Sequence, residues 1–172
     1  MPSIRAPRRD ELEALRSIER DAGSAFAAIG MPEIGADEPL SVPELEGFRV
    51  TGRAWVAVDA RDVPIAYLLS SVVDGCAHID QVSVAPAHAG RGLGAALIER
   101  LAAIALAEGR PGLSLTAFRD VPWNAPYYER LGFVVVEPAE QGPELAALVR
   151  RESVQIPGSA PRVAMRRPLI GR

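Results

Sequence analysis

Between Val82 and Ala107 the chain reads as a short buried strand, Val82-Ser83-Val84, ended by Ala85-Pro86. A glycine-rich loop follows, Gly90-Arg91-Gly92-Leu93-Gly94, and then one amphipathic helix. Leu93, Leu97, Leu101 and Ile104 recur at the spacing of a single helical face. Gly109 and then Pro111 stop that helix. A helix normally carries Asp or Glu in its first turn, where the macrodipole favours negative charge. Here no carboxylate occurs between Asp80 and Glu99, in a chain whose net charge is −3. The helix start offers instead unpaired backbone N–H groups, Arg91, and glycines that admit an anion closely. That combination is a phosphate cradle.

The cradle has to be told apart from other phosphate loops. Gly90-x-Gly92-x-x-Ala95 fits a loose dinucleotide fingerprint. That fingerprint wants an acid about twenty residues further on, after a strand. The next strand offers Ser114, Thr116 and Ala117, and no acid. The loop also lacks the Gly-Lys-Ser/Thr ending of a P-loop, since the chain contains no lysine at all. Neither pattern is met, which leaves a phosphate cradle of another kind or a plain strand-to-helix turn.

With 172 residues the chain is expected to form one domain, residues 1–172, with a proper core. Hydrophobic residues make up 48%, and both charge signs are common, which excludes disorder. The charged start (Arg5, Arg8, Arg9, Asp10) has no apolar stretch of a signal peptide, and the longest apolar run is interrupted by Glu99 and Arg100. A lone Cys76 allows no internal disulfide and fits a reducing, cytoplasmic setting. The acidic balance argues against nucleic acid, and neither a membrane nor a metal is expected. All basic residues besides His are Arg and the one Asn is Asn124, a coding bias expected of a G+C-rich, bacterial genome that also removes lysine chemistry.

In chain order, Ser3–Ala6 reads as a strand and Asp10–Ala22 as a helix capped by Asp10. Residues 21–48 read as irregular, with a short helix near Ser41–Glu46. Arg53–Val58 and Pro64–Val73 form a hairpin, and Asp74-Gly75 turns into Ala77–Val84. After the central helix come a strand at Leu113–Phe118, a helix at Asn124–Arg130, a strand at Phe133–Val136, a helix at Pro143–Val154 and a strand at Arg162–Arg166. This order predicts a mixed α/β (α+β) fold.

Two motifs together resemble the GNAT N-acetyltransferases. Ala89-Gly90-Arg91-Gly92-Leu93-Gly94 is similar to that family's acetyl-CoA loop, and Tyr128-Glu129-Arg130-Leu131-Gly132-Phe133 to its terminal tyrosine helix and following strand. The resemblance covers nearly the whole chain and implies an acyl-CoA N-acyltransferase fold. In it a mixed sheet of about six to seven strands, splayed between the fourth and fifth, is flanked by helices. It further implies that Val82, Ser83, Val84, Ala89, Gly90, Arg91, Gly92, Leu93, Gly94, Ala95, Asn124 and Tyr128 contact acetyl-CoA as co-substrate. Two departures stand out. The usual Gln or Arg opening the loop is Ala89, which removes a side-chain contact but not the backbone cradle. Asn124 lies only four residues before Tyr128, and either touches the cofactor or caps its own helix.

Acetyl transfer needs a neutral amine, a polarised thioester carbonyl and a proton for the departing thiolate. The resemblance assigns the proton to Tyr128, since a phenol near about 10 and a thiol near about 8.5 exchange protons readily. Backbone N–H groups at Val84 and its neighbours polarise the carbonyl. The base is Asp80, which a regular strand places on the side of Val82 and Val84 and a bulge of the kind frequent in the family would turn away, or His78, or a water chain; a solvated strand-end residue is the plain reading of either, more so of His78. Six acids and no base between Asp21 and Glu46 would concentrate a cationic amine, unless they form an ordinary solvated face. The expected function is therefore acetyl-CoA-dependent acetylation of a primary amine on a small molecule, with a homodimer compatible. A CoA-binding sensor with weak turnover and a protein or peptide N-acetyltransferase are the alternatives.

Overall fold

The computed structural model describes residues 2–155 and 161–170. The chain divides into two compact units, residues 1–70 with 80–100 and residues 71–79 with 101–172. The first holds β1 (Ser3–Arg5), α1 (Leu12–Ala28), α2 (Pro32–Gly35), α3 (Val42–Val50), β2 (Ala54–Val58), most of β3 (Pro64–Val73), the end of β4 (Cys76–Val84) and the start of α4 (Leu93–Ala107). The second holds β5 (Gly112–Phe118), α5 (Ala125–Arg130), β6 (Val134–Val136), α6 (Pro143–Gln155) and β7 (Arg162–Pro168). Together the seven strands make one mixed sheet in the order β1-β2-β3-β4-β5-β7-β6, with helices against it.

In the first unit Leu12, Leu15 and Ile18 of α1 and Leu45 of α3 bury against Val56, Val58, Tyr67 and Leu69 of the β2–β3 hairpin. The hairpin pairs Ala54 with Leu69 and Ala57 with Ala66, and Asp59 closes its turn by accepting the N–H groups of Arg61 and Val63. Helix α1 runs to Ala28 rather than Ala22, and α2 and α3 occupy much of the stretch expected to be irregular. The glycines that suggested a break have another use. A Cβ on Gly35 would lie 2.7 Å from the Gly23 carbonyl oxygen, so these two glycines let α1 and α2 touch backbone to backbone. Asp10 does not cap α1. Glu11 takes the Arg8 N–H at 2.6 Å and Arg5 at 2.7 Å, and that guanidinium holds its carboxyl below the usual range. Helix α3 begins on a capping box between Ser41 and Glu44.

In the second unit β5 and β7 pair antiparallel from Gly112↔Pro168 to Phe118↔Arg162, and β6 adds to the other side of β7. β4 and β5 are parallel, with Ala77 opposite Leu113 and His78 opposite Ser114. Helix α6 closes over Val73, Val136 and Ala164 through Leu145. Along α4 the buried stripe is Leu93, Leu97, Leu101 and Ala105, with Ile98 and Ala102 beside it. Ile104 is only half-buried, because successive steps of four carry the stripe to Ala105.

Candidate functional site

In the first unit β4 ends at Val84, and the Ala85 N–H donates to the Ile65 carbonyl at 2.9 Å, which ties the strand end to β3. A single 3-10 turn over Pro86–His88 leads to Ala89. Gly90 and Gly92 then sit at φ +73° and +74°, a left-handed geometry that disfavours any side chain. The Gly92 carbonyl accepts from the Ala96 N–H at 3.0 Å and starts the α4 ladder. The N–H groups of Leu93, Gly94 and Ala95 precede Ala96, the first donor of that ladder, and the first turn holds no acid. A Cβ placed on Gly90 or Gly92 would meet nothing within 4 Å, so the loop is open around its glycines. Gly90, Arg91 and Gly92 are exposed, Leu93 and Gly94 buried, and Ala95 half-buried. Arg91 Nη1 lies 3.4 Å from the His88 ring nitrogen Nδ1, and His88 is half-buried. Ala89 is exposed and brings no polar atom of its own.

Along the end of β4 Asp80 is exposed, Gln81, Val82 and Val84 are half-buried and Ser83 is buried. Gln81 Nε2 donates to Ser83 Oγ at 2.7 Å. Ser83 in turn acts on the phenol of Tyr67, lowering it, and the Tyr67 hydroxyl donates to Glu19 Oε2 at 2.7 Å. Tyr67 is fully buried, and burial together with Glu19 pushes its phenol up. Burial pushes the Glu19 carboxyl up as well, with Asp37 adding to the rise and Tyr67, Arg16 and Arg20 opposing it. Sequence reasoning missed this chain, although two signals were there. Glu19 stands one turn after Leu15 on the apolar stripe of α1, and Tyr67 interrupts an apolar strand with a hydroxyl that needs a partner.

The acidic stretch is less available than its composition suggested. Glu38 lies 3.5 Å from Arg16 and 3.6 Å from Arg20, Glu46 lies 2.6 Å from Arg49, and Glu44 is spent in the α3 cap.

In the second unit Tyr128 is 9% exposed and packs edge-on against Tyr127 and Phe133, at centroid distances of 5.3 and 5.9 Å. Burial first, and Tyr127 second, push its phenol up. The group is therefore held neutral and protonated, and it is a weaker acid than an ordinary tyrosine, so its gap to a thiol is wider than the free pKa values imply. The Asn124 carbonyl receives the Tyr128 N–H at 3.0 Å and opens α5. Its side chain does not cap the helix. Asn124 Oδ1 accepts the Phe118 N–H at 2.9 Å instead, fastening the start of α5 to the end of β5.

His78 is not a solvated strand-end residue. It is 3% exposed, its Nδ1 lies 2.8 Å from Ser114 Oγ, and burial lowers its pKa to about 4 against a partial rise from Glu152. Glu152 is itself engaged by Thr116 at 2.5 Å and Arg162 at 3.0 Å. His78 is thus a neutral imidazole and a feeble base. Cys76 is a buried strand residue and Trp55 a buried sheet residue, while Trp123 is 38% exposed. No helix among the described residues is long and apolar enough to cross a membrane.

These features fit a known protein class. The sequence model of the acetyltransferase (GNAT) family matches residues 13–133. The chain belongs to that family, and with it to the acyltransferases. A GNAT-family acetyltransferase from Staphylococcus aureus superposes with a TM-score of 0.74 at 11% identity, over 99% of this chain and 100% of that one. The ribosomal-protein-S18-alanine N-acetyltransferase of Escherichia coli superposes with a TM-score of 0.67 at 20% identity, over 100% and 96%. N-acetylglutamate synthase from Neisseria gonorrhoeae, complexed with coenzyme A and N-acetyl-glutamate, gives 0.76 at 14% identity, over 99% of this chain and 36% of that chain. At these identities the likeness is one of fold.

Proposed function

We propose that residues 1–172 act as one catalytic domain, an N-acetyltransferase that moves an acetyl group from acetyl-CoA directly to a primary amine of a small molecule. The observation that carries this reading is the acid-free start of α4, where two left-handed glycines leave an open loop beside free N–H donors. Gly90, Arg91, Gly92, Leu93, Gly94 and Ala95 would hold the diphosphate, Ala89 contributing backbone only. Val82, Ser83 and Val84 present the strand along which the rest of the cofactor extends. Acetyl-CoA, when bound, supplies the acetyl group as a thioester.

The Val84 N–H and its neighbours polarise the carbonyl. Tyr128 Oη, held protonated by burial, gives its proton to the departing sulfur, and Asp80, on the exposed side of β4, takes one from the amine. Asn124 supports the site by fixing the first turn of α5, and its amide nitrogen is the part that could meet the cofactor. A cytoplasmic bacterial enzyme is the setting this reading assumes, and it has no role for a metal, a membrane or a nucleic acid; a homodimer is compatible with it.

Saturation with acetyl-CoA at about a hundred times its Kd should stabilise the fold by about 2.7 kcal/mol and raise the melting temperature by about 5–10 °C. A panel of amines assayed by thiol release then decides between turnover and binding alone. Tyr128→Phe should lower kcat by about 10²–10⁴-fold and leave the acetyl-CoA melting shift unchanged. If the shift disappears with the hydroxyl, Tyr128 is structural and its assignment fails. Ala89, which lacks the family's polar side chain, favours a CoA-binding sensor as the second reading. That reading gains if the shift appears and no amine releases thiol. Thiol release on peptide N-termini alone would make the acceptor a protein.

A further inference from the structure

Four side chains from three elements of the first unit form one polar chain, hydrogen-bonded at both of its ends. Gln81 Nε2 donates to Ser83 Oγ and Tyr67 donates to Glu19 Oε2, each at 2.7 Å, and between these two bonds Ser83 acts on the Tyr67 phenol, lowering it as a donor does. A carboxylate only accepts and an amide nitrogen only donates, so the two ends set the direction of every bond between them. With Glu19 ionised, Tyr67 must donate to it, which leaves the phenol oxygen to receive Ser83, which leaves the Ser83 oxygen to receive Gln81. The chain spans from α1 across β3 to β4 through Tyr67 and Ser83, which are 0% and 6% exposed. It is rooted on Gln81 and Ser83, residues interleaved with Val82 and Val84 on one strand.

We propose that Glu19 is a positioning residue for acyl transfer: its ionised carboxylate, acting through Tyr67 and Ser83, holds the Gln81–Val84 stretch of β4 in the geometry from which its backbone N–H groups polarise the thioester carbonyl. This rests on the transferase reading above and adds a residue to it. Glu19 touches no reactant; it acts on backbone donors at a distance of two side chains. A buried network with every member satisfied is rigid, and a rigid donor set is what carbonyl polarisation requires.

Protonation of Glu19 would undo the order. A neutral carboxylic acid is itself a donor, so the Tyr67 hydroxyl is free to turn and the direction of the bonds toward Ser83 is no longer imposed. Tyr67 from β3, Asp37 beyond α2, and Arg16 and Arg20 from α1 are the ionisable groups that act on Glu19. Arg16 and Arg20 each bridge Glu13 and Glu38 (3.0 and 3.5 Å for Arg16, 3.7 and 3.6 Å for Arg20), and among the described residues no arginine bridges Glu19. The carboxyl is half-buried, and burial together with Asp37 raises it, so the acid limb of activity should lie above the ordinary carboxylate range.

The test uses the full chain and the variants Glu19→Gln, Glu19→Asp, Tyr67→Phe and the Gln/Phe double variant. Each is first titrated with acetyl-CoA by melting shift, which the proposal expects to persist. Amide hydrogen exchange at Gln81–Val84 should quicken in Glu19→Gln and Tyr67→Phe, and stay near wild type in Glu19→Asp. With the best acceptor of the amine panel, kcat should fall by about ten- to a hundredfold in Glu19→Gln, KM for acetyl-CoA changing little. The part of the acid limb of kcat that lies above the ordinary carboxylate range should vanish in that variant and return in Glu19→Asp. Because both single changes cut the same chain, the double variant should be no more than about threefold worse than either.

Unchanged exchange at Gln81–Val84, a limb above the ordinary carboxylate range that survives Glu19→Gln, or losses that multiply in the double variant would each overturn the proposal. If the wild type shifts with acetyl-CoA and acetylates nothing, the transferase reading fails, and the exchange data still decide whether Glu19 holds the strand.

Discussion

Gly92 and Asn124 show how differently two residues of one motif set can be read. The requirement at Gly92 is local, since φ +74° is a property of one residue and glycine is the one residue that adopts it without cost. Gly92→Ala should therefore destabilise the protein by about 1–2 kcal/mol, although a methyl group there meets no atom. Urea unfolding measures that cost, and an acetyl-CoA titration of the same variant should show weakened binding because the loop has moved. Asn124 is the opposite case. Its place before Ala125 and Pro126 made a side-chain cap reasonable, yet its oxygen is claimed by the Phe118 N–H. A residue can sit in the capping position while its side chain serves another element.

At the scale of elements, helices were legible where periodicity and a stop signal agreed, as in α4, and less so where glycine served packing. The end of α1 was misplaced because Gly23 reads as a weak point, whereas the structure uses it for contact with Gly35. Helix α6 carries a second lesson, since its N-terminus is capped from outside. Asp74, in the turn between β3 and β4, accepts the N–H groups of Glu144 at 3.1 Å and Leu145 at 2.9 Å, and the Glu144 carboxylate receives the Asp74 N–H. This is a capping box whose two halves lie 70 residues apart. Asp74→Ala should cost about 1–2 kcal/mol, read as a lower urea midpoint at unchanged m-value. Asp74→Asn, which keeps one acceptor oxygen, should recover part of it.

For the whole molecule the consequence of burial is a pH dependence set by His78. Its pKa is about 4 in the folded protein and about 6.5 when unfolded. As pH falls below neutrality the unfolded chain binds a proton that the folded chain refuses, so stability falls with pH across that window and levels off below about 4. The loss amounts to about 3 kcal/mol, as an order of magnitude. Glu11, held low by Arg5, contributes stability that is present above its unfolded pKa and is lost at lower pH still. Stability measured from pH 7.5 to 4 should slope downward in the wild type and flatten in His78→Gln, which keeps an acceptor for Ser114.

What the chain carries locally is the sign of φ at Gly90 and Gly92, the period of α4, the missing acids at its start, and the spacing that sets Tyr128 before Gly132. Those follow from covalent geometry and neighbours a few residues away, so a linear reading reaches them, and they were enough for the family and the sheet. Which polar side chains lose water, and to whom they turn, depends on partners brought in from far along the chain. Glu19 meets Tyr67 across 48 residues and His78 meets Ser114 across 36. Desolvation and hydrogen bonding set a side chain's charge state, and both are properties of the folded surroundings. For that reason His78, one of the bases left open by the sequence, is a buried neutral imidazole, and Glu19, which the sequence did not single out, accepts the hydroxyl of a buried tyrosine.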